Sequence, residues 1–135
     1  MALRVYLVED NELTCQHLMD LLSEETDIEW VGMAQTEAEA KDWLERNPDG
    51  WDVAILDLFL REGTGAGVLR HCRTRGAEQD VLVMTNHPIA SLLTHCRLLG
   101  ATAVFDKASE LGDLIAYCIG RASTPLQTRP QRLMG

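Results

Sequence analysis

Lysine is nearly absent from this chain: Lys41 and Lys107 are the only two among 12 basic residues, against 21 acids. The resulting net charge of −9 argues against non-specific nucleic-acid binding by the domain itself, because gripping phosphates requires a basic face. Long apolar runs are missing too. The longest, such as residues 53–56 and 81–84, fall far short of the roughly 20 needed to span a bilayer. Met1-Ala2-Leu3-Arg4 runs straight into a strand pattern, without the basic start and longer apolar stretch of a secretory signal. The expectation is a cytoplasmic protein with no membrane contact. Cys-x-x-Cys pairs are also lacking. Cys15, Cys72, Cys96 and Cys118 lie far apart, which suits neither clustered zinc ligands nor a disulfide framework. Cys72, Cys96 and Cys118 fall on apolar helical stripes, where a reduced thiol behaves as a small hydrophobe.

What remains is an ordinary globular composition: 135 residues, 46% apolar and 24% charged, enough for one domain with a real core. Acids concentrate between Glu24 and Asp52, while Arg61, Arg70, Arg73 and Arg75 make a modest basic patch; both read as solvated surface. Leu3–Val8 reads as a strand, and Leu18, Leu21 and Leu22 then share a helical face that Asn11 caps. Ile28–Ala34 is a second strand. Thr36 and Glu39 form a capping box for a helix with Ala40, Trp43 and Leu44 inward. Asn47-Pro48-Asp49-Gly50 ends it.

Residues 52–56 form the third strand, and Gly63-Thr64-Gly65 opens a helix faced by Val68, Leu69 and Cys72. Residues 81–84 form the fourth strand, ending at Thr85. The next helix turns Ile89, Leu92, Leu93, Cys96 and Leu99 inward and stops at Gly100. Residues 102–105 form the fifth strand, and Ser109 caps a last helix faced by Leu111, Leu114, Ile115 and Cys118. Strands apolar on both faces need helices on both sides, so the fold class is α/β with a doubly wound parallel sheet. The folded unit spans residues 1–122; residues 123–135, without periodicity, read as a disordered tail or linker stub.

In such a sheet, ligands gather at the carboxyl ends of the strands. Strand one ends in Glu9 and Asp10, strand three in Asp57, strand four in Thr85 and strand five in Asp106-Lys107. Taken singly, each has a plain structural use as a cap, a turn or a strand end. Jointly they set acids, a hydroxyl and an amine on one rim. Two carboxylates about 4 Å apart repel by roughly 4 kcal/mol at an effective dielectric of about 20, so the rim calls for a cation. Hard carboxylate oxygens suit Mg²⁺. Asp57 is then a candidate oxygen nucleophile toward phosphorus, with Lys107 and Thr85 holding phosphoryl oxygens.

Glu9-Asp10, Asp57, Thr85 and Lys107 resemble, in identity, order and spacing, the pattern of response-regulator receiver domains of two-component signalling. The likeness runs from about residue 3 to about 121, and Gly65 matches the family's loop glycine. Thr85-Asn86-His87-Pro88 and Phe105-Asp106-Lys107-Ala108-Ser109 are similar to signatures of a bacterial branch, and the whole is chemotaxis-regulator-like. The resemblance implies the flavodoxin-like receiver fold with strand order 2-1-3-4-5. It implies Asp57 as phosphoacceptor, Asp10 and Asp57 as direct Mg²⁺ ligands, Glu9 acting through water, and the Phe59 backbone carbonyl as a further ligand. It implies Thr85 and Lys107 on the phosphoryl group, and a phosphohistidine donor on a sensor histidine kinase or phosphotransfer protein. A downstream protein or a detached output domain would read the signal. The chain would be a phosphoacceptor, not an enzyme, beyond slow loss of its own phosphoryl group. Phe59, Asn86 and His87 occupy family positions that flank the approach of hydrolytic water.

The pattern departs from the family in three places. Prolines usual after the acceptor and after the lysine are Arg61 and Ala108 here. The switch aromatic's position holds Val104, and Phe105, one residue later, should face the opposite side of its strand. Of two rival readings, the first fails on a named position. A haloacid-dehalogenase-type phosphatase needs a second aspartate where Phe59 stands. A pseudo-receiver, which binds partners without phosphorylation, is the alternative.

Overall fold

A computed structural model describes residues 2–123. The described elements are β1 (Leu3–Val8), α1 (Glu12–Glu25), β2 (Ile28–Ala34), α2 (Glu37–Arg46), β3 (Val53–Asp57) and α3 (Gly65–His71), then β4 (Asp80–Thr85), α4 (Ala90–Leu98), β5 (Ala103–Asp106) and α5 (Leu111–Ser123). The strands pair in parallel in the order β2-β1-β3-β4-β5, the doubly wound flavodoxin-like arrangement expected from the sequence.

The pleat sorts the core into two layers. Val5, Leu7, Val53, Ile55, Leu82 and Met84 pack on one face with Leu18 and Leu22 of α1 and Leu114 and Cys118 of α5. On the other face Tyr6, Val8, Ala54, Leu56, Val81 and Val83 meet Ala40 and Leu44 of α2, Val68 and Leu69 of α3 and Cys96 of α4. That is the alternation of period two that a strand imposes. Every residue of β3 and β4 is buried, as strands covered by helices on both sides must be. Val104 packs with the α2–α4 layer and Phe105 with the α1–α5 layer, as the pleat requires. All four cysteines are buried and free, and burial pushes their thiols up, Cys15 and Cys72 to about 11 and Cys118 to about 12.

The helix starts follow local chemistry. Asn11 Oδ1 accepts the Thr14 N–H at 2.9 Å, Thr36 Oγ1 the Glu39 N–H at 3.1 Å, and Thr64 Oγ1 the Gly67 N–H at 3.0 Å. Gly100, at φ 100°, turns the chain out of α4 in the left-handed conformation that favours glycine. Three local expectations are corrected. β3 begins at Val53, one residue later than expected; Asp52 still bonds its neighbours through its backbone, its N–H donating to Arg4 O at 2.8 Å, while its carboxylate accepts the Arg4 N–H at 2.8 Å and guanidinium at 3.0 Å. Ile89 is 60% exposed; its backbone is extended and lies outside α4, so its side chain does not follow the helical stripe. The Ser109 hydroxyl donates to Asp106 Oδ2 at 2.9 Å instead of capping α5. Residues 124–135 of the expected tail lie outside the described residues.

α5 is fastened at the amino end of β4. Asp80, fully buried, accepts the Tyr117 hydroxyl at 2.8 Å and Arg121 Nε at 2.9 Å. Removing one member of a buried charge pair leaves the other desolvated, a loss of about 3 kcal/mol or more. Arg121→Met is expected to lower unfolding stability by about 3 kcal/mol, read from the midpoint of denaturant melts.

Candidate functional site

The sheet order sets the ends of β1 and β3 side by side, and the residues that follow each strand share one rim. Glu9 is fixed there by its N–H, which donates to Ala34 O at 3.0 Å, and its side chain is 1% exposed. Asp57, the last residue of β3, is 6% exposed. Carboxylate oxygens of Glu9, Asp10 and Asp57 lie within 4.8 Å of one another. Lys107 reaches them from the far side of β4, held by its own N–H on Thr85 O at 2.8 Å. Its Nζ bonds Glu9 Oε1 and, at 3.1 Å, Asp57 Oδ2.

The charges constrain one another. Burial pushes the Glu9 carboxyl up to about 7, against the pull of the Lys107 bond and with the added repulsion of Asp57. For Lys107, burial works to lower the ammonium's pKa, but the bond to Glu9 and the charge of Asp57 raise it overall. The amine therefore stays charged. One ammonium stands among three carboxyl groups whose oxygens lie within 4.8 Å of one another, and two ionised carboxylates at such a separation repel by roughly 3 kcal/mol or more at an effective dielectric of about 20. The donor set is all hard oxygen, the chemistry of a Mg²⁺ site, so these residues fit that ion.

The other candidates stand around this cluster. Thr85 is fully buried at the end of β4, and its Oγ1 accepts the His87 N–H at 3.0 Å. Phe59 donates its N–H to Asp57 Oδ1 at 3.3 Å, while its ring, 51% exposed, meets the His87 ring edge-on at a centroid distance of 5.2 Å. Asn86 is exposed and lines, with Leu13, His17 and the acidic cluster, a cleft of about 620 Å³. Val104 lies apart from the cluster, beside Val83 in the opposite layer.

Both positions where proline was expected now supply a donor. The Ala108 N–H donates to Asp106 Oδ1 at 2.9 Å, which, with the Ser109 hydroxyl, holds that carboxyl below its usual range. The Arg61 N–H donates to Asp10 Oδ2 at 2.5 Å. Sequence reasoning missed this second contact, since a backbone donor leaves no mark in residue type. Gly65 is required by close approach: a Cβ there would lie 2.1 Å from the Asp57 carbonyl oxygen.

Comparison with known proteins bears on what this rim is. Residues 5–118 match the response regulator receiver domain family. Over 100 residues the chain is 32% identical to the DNA-binding transcriptional activator DevR/DosR of Mycobacterium tuberculosis, covering 73% of this chain and 45% of that one. The chain thus spans about half the length of that curated relative. The NarL signal receiver domain of Mycobacterium tuberculosis superposes with a TM-score of 0.77 at 22% identity, covering 92% of this chain and 98% of that one. A chain of the CheX–CheY–BeF3–Mg complex from Borrelia burgdorferi gives 0.78 at 17% identity, covering 87% of each. At these identities the two structures speak for the fold.

The glycine geometry gives a paired test. Gly65→Ala should destabilise the protein by about 1–3 kcal/mol through overpacking against β3. Gly112→Ala on α5, where nothing lies within 4 Å of an added Cβ, should stabilise it by up to about 1 kcal/mol. Thermal melts read both, with shifts of opposite sign.

Proposed function

Since the chain belongs to the response regulator receiver domain family of two-component systems, we propose that Asp57 accepts a phosphoryl group from a phosphohistidine, with Mg²⁺ held beside it. The observation that carries this reading is the convergence of Glu9, Asp10 and Asp57 within 4.8 Å, with one ammonium bonded to the first and last. An Asp57 carboxylate oxygen attacks phosphorus, the phosphorus–nitrogen bond of the donor breaks, and the histidine departs as the ring accepts a proton. Lys107 Nζ, already 3.1 Å from Asp57 Oδ2, stays to pair with phosphoryl oxygens, and the Thr85 hydroxyl donates to another. Asp10, Asp57 and the Phe59 carbonyl would hold Mg²⁺ directly and Glu9 through water. When bound, the ion supplies charge neutralisation for the transferring group.

The donor is a sensor histidine kinase or a phosphotransfer protein, and the signal passes to a downstream protein or output domain. The acidic balance of this domain supports no direct role for it on nucleic acid, although the DevR/DosR relative binds DNA. We place the protein in the cytoplasm; no helix among the described residues is long and apolar enough to cross a membrane. It acts as a phosphoacceptor rather than a turnover catalyst. With Val104 at the position of the switch aromatic, the phosphorylated state is signalled without the swing of a large ring. Phe59, whose N–H bonds the Asp57 carboxylate, is the residue on which a shield over the approach of water to the acyl phosphate rests, giving a long-lived phosphorylated form.

Incubation with acetyl phosphate and Mg²⁺ should add the mass of one phosphoryl group to the intact chain. Asp57→Asn should add none; full phosphorylation of that variant would overturn the assignment. After removal of the donor, Phe59→Asn should lose the added mass faster than wild type, and an equal or slower loss would remove the shield.

A further inference from the structure

The loop of residues 58–64 carries the groups that face the acidic cluster from β3, and it is fastened on two sides. Toward the cluster, the Arg61 N–H donates to Asp10 Oδ2 at 2.5 Å and the Phe59 N–H to Asp57 Oδ1 at 3.3 Å. On the other side stands Glu37, the first residue of α2. Its Oε1 accepts the Thr64 N–H at 2.8 Å and the Thr64 hydroxyl at 3.4 Å, and its own N–H donates to Glu62 O at 3.2 Å. The fit around it is close. A Cβ at Gly63 would lie 2.3 Å from Glu37 Cβ, and one at Gly67 2.3 Å from Glu37 Oε2. Lys41 Nζ holds Oε2 at 2.6 Å, and that bond, with the Thr64 N–H, keeps the carboxyl below its usual range. An ionised acceptor makes about twice the bond that a neutral one does.

Residues 61–64 are exposed, so little packing restrains this part of the loop. The polar contacts with Glu37 supply the restraint on that side. We infer that Glu37 is a positioning residue for the phosphoryl and metal site, acting through Thr64 to hold the loop that presents Phe59 and the Arg61 N–H to Asp57 and Asp10. The inference rests on the function proposed above for that cluster. It extends the site to a helix that contributes no ligand. Partners that bond a metal's ligand directly typically change its affinity about 10-fold or more when deleted, and Glu37 stands one contact beyond such a partner, the Arg61 N–H on Asp10.

Calorimetric titration of the full chain with Mg²⁺ tests this in four proteins: wild type, Glu37→Ala, Glu37→Gln and Glu39→Ala. Glu37→Ala should weaken Mg²⁺ binding by a few-fold, less than the roughly tenfold of a direct partner of a ligand. Glu37→Gln keeps an oxygen for the Thr64 N–H and should recover part of that loss. Glu39→Ala controls for damage to α2, because that carboxylate serves the same helix start through Gln35 and Thr36. It should lower the melting temperature and leave Mg²⁺ affinity as in wild type. Wild-type affinity in Glu37→Ala, or an equal loss in Glu39→Ala, would overturn the positioning role. Should Glu37→Ala not fold, Glu37→Gln decides, since a neutral acceptor must still weaken binding measurably and unchanged affinity sinks the idea. Failure of wild type itself to bind Mg²⁺ would instead bring down the proposed function, and this inference with it.

Discussion

A partly buried ammonium shared between two buried carboxylates organises this molecule. Lys107 belongs to the end of β5, yet its Nζ bonds Glu9 at the end of β1 and Asp57 at the end of β3. Buried carboxylates are tolerable only with countercharge and hydrogen bonds. The sheet order makes that contact possible, because β1 and β3 are direct neighbours and only β4 stands between them and β5. Registers such as Val8 with Leu56 and Thr85 with Asp106 bring the strand ends level. A one-residue slip would turn side chains to the opposite face and separate the groups. Core packing and the charged rim therefore specify the same alignment.

Much of this was legible in residue types. Continuous apolar runs marked the buried strands, Asn11 and Thr36 marked helix starts, and Gly100 marked a helix end. The polar residues just past the apolar runs were the candidate site, since a buried strand has few polar positions to offer. The errors have physical causes. Asp52 stands at the fringe of β3, where its backbone keeps cross-strand bonds and its carboxylate serves Arg4, a partner 48 positions away. Ser109 has the residue type and place of a cap, but the Asp106 carboxylate takes its hydroxyl. Ile89 fitted the helical spacing, but the chain had not yet entered the helix.

The least legible contributions come from the main chain. At Arg61 and Ala108 the sequence showed only that a proline usual in the family was missing. In the structure each substitution appears as an added N–H donor, one on Asp10 and one on Asp106. A residue other than proline restores a hydrogen-bonding group to the backbone whatever its side chain. The loops around the cluster are thus tied by donors that no pattern of side chains records. Glu37 is a related case, since its identity as a helix-start acid gave no hint that its oxygens would serve a different loop.

The four cysteines bear on the reactivity of the whole molecule. A thiol with a pKa of about 11 is ionised to about one part in ten thousand at neutral pH, and burial further denies reagents access. Soft electrophiles, peroxides and thiol-directed labels therefore find little to attack. A single cysteine introduced on the exposed surface could carry a spectroscopic probe with the native four left in place.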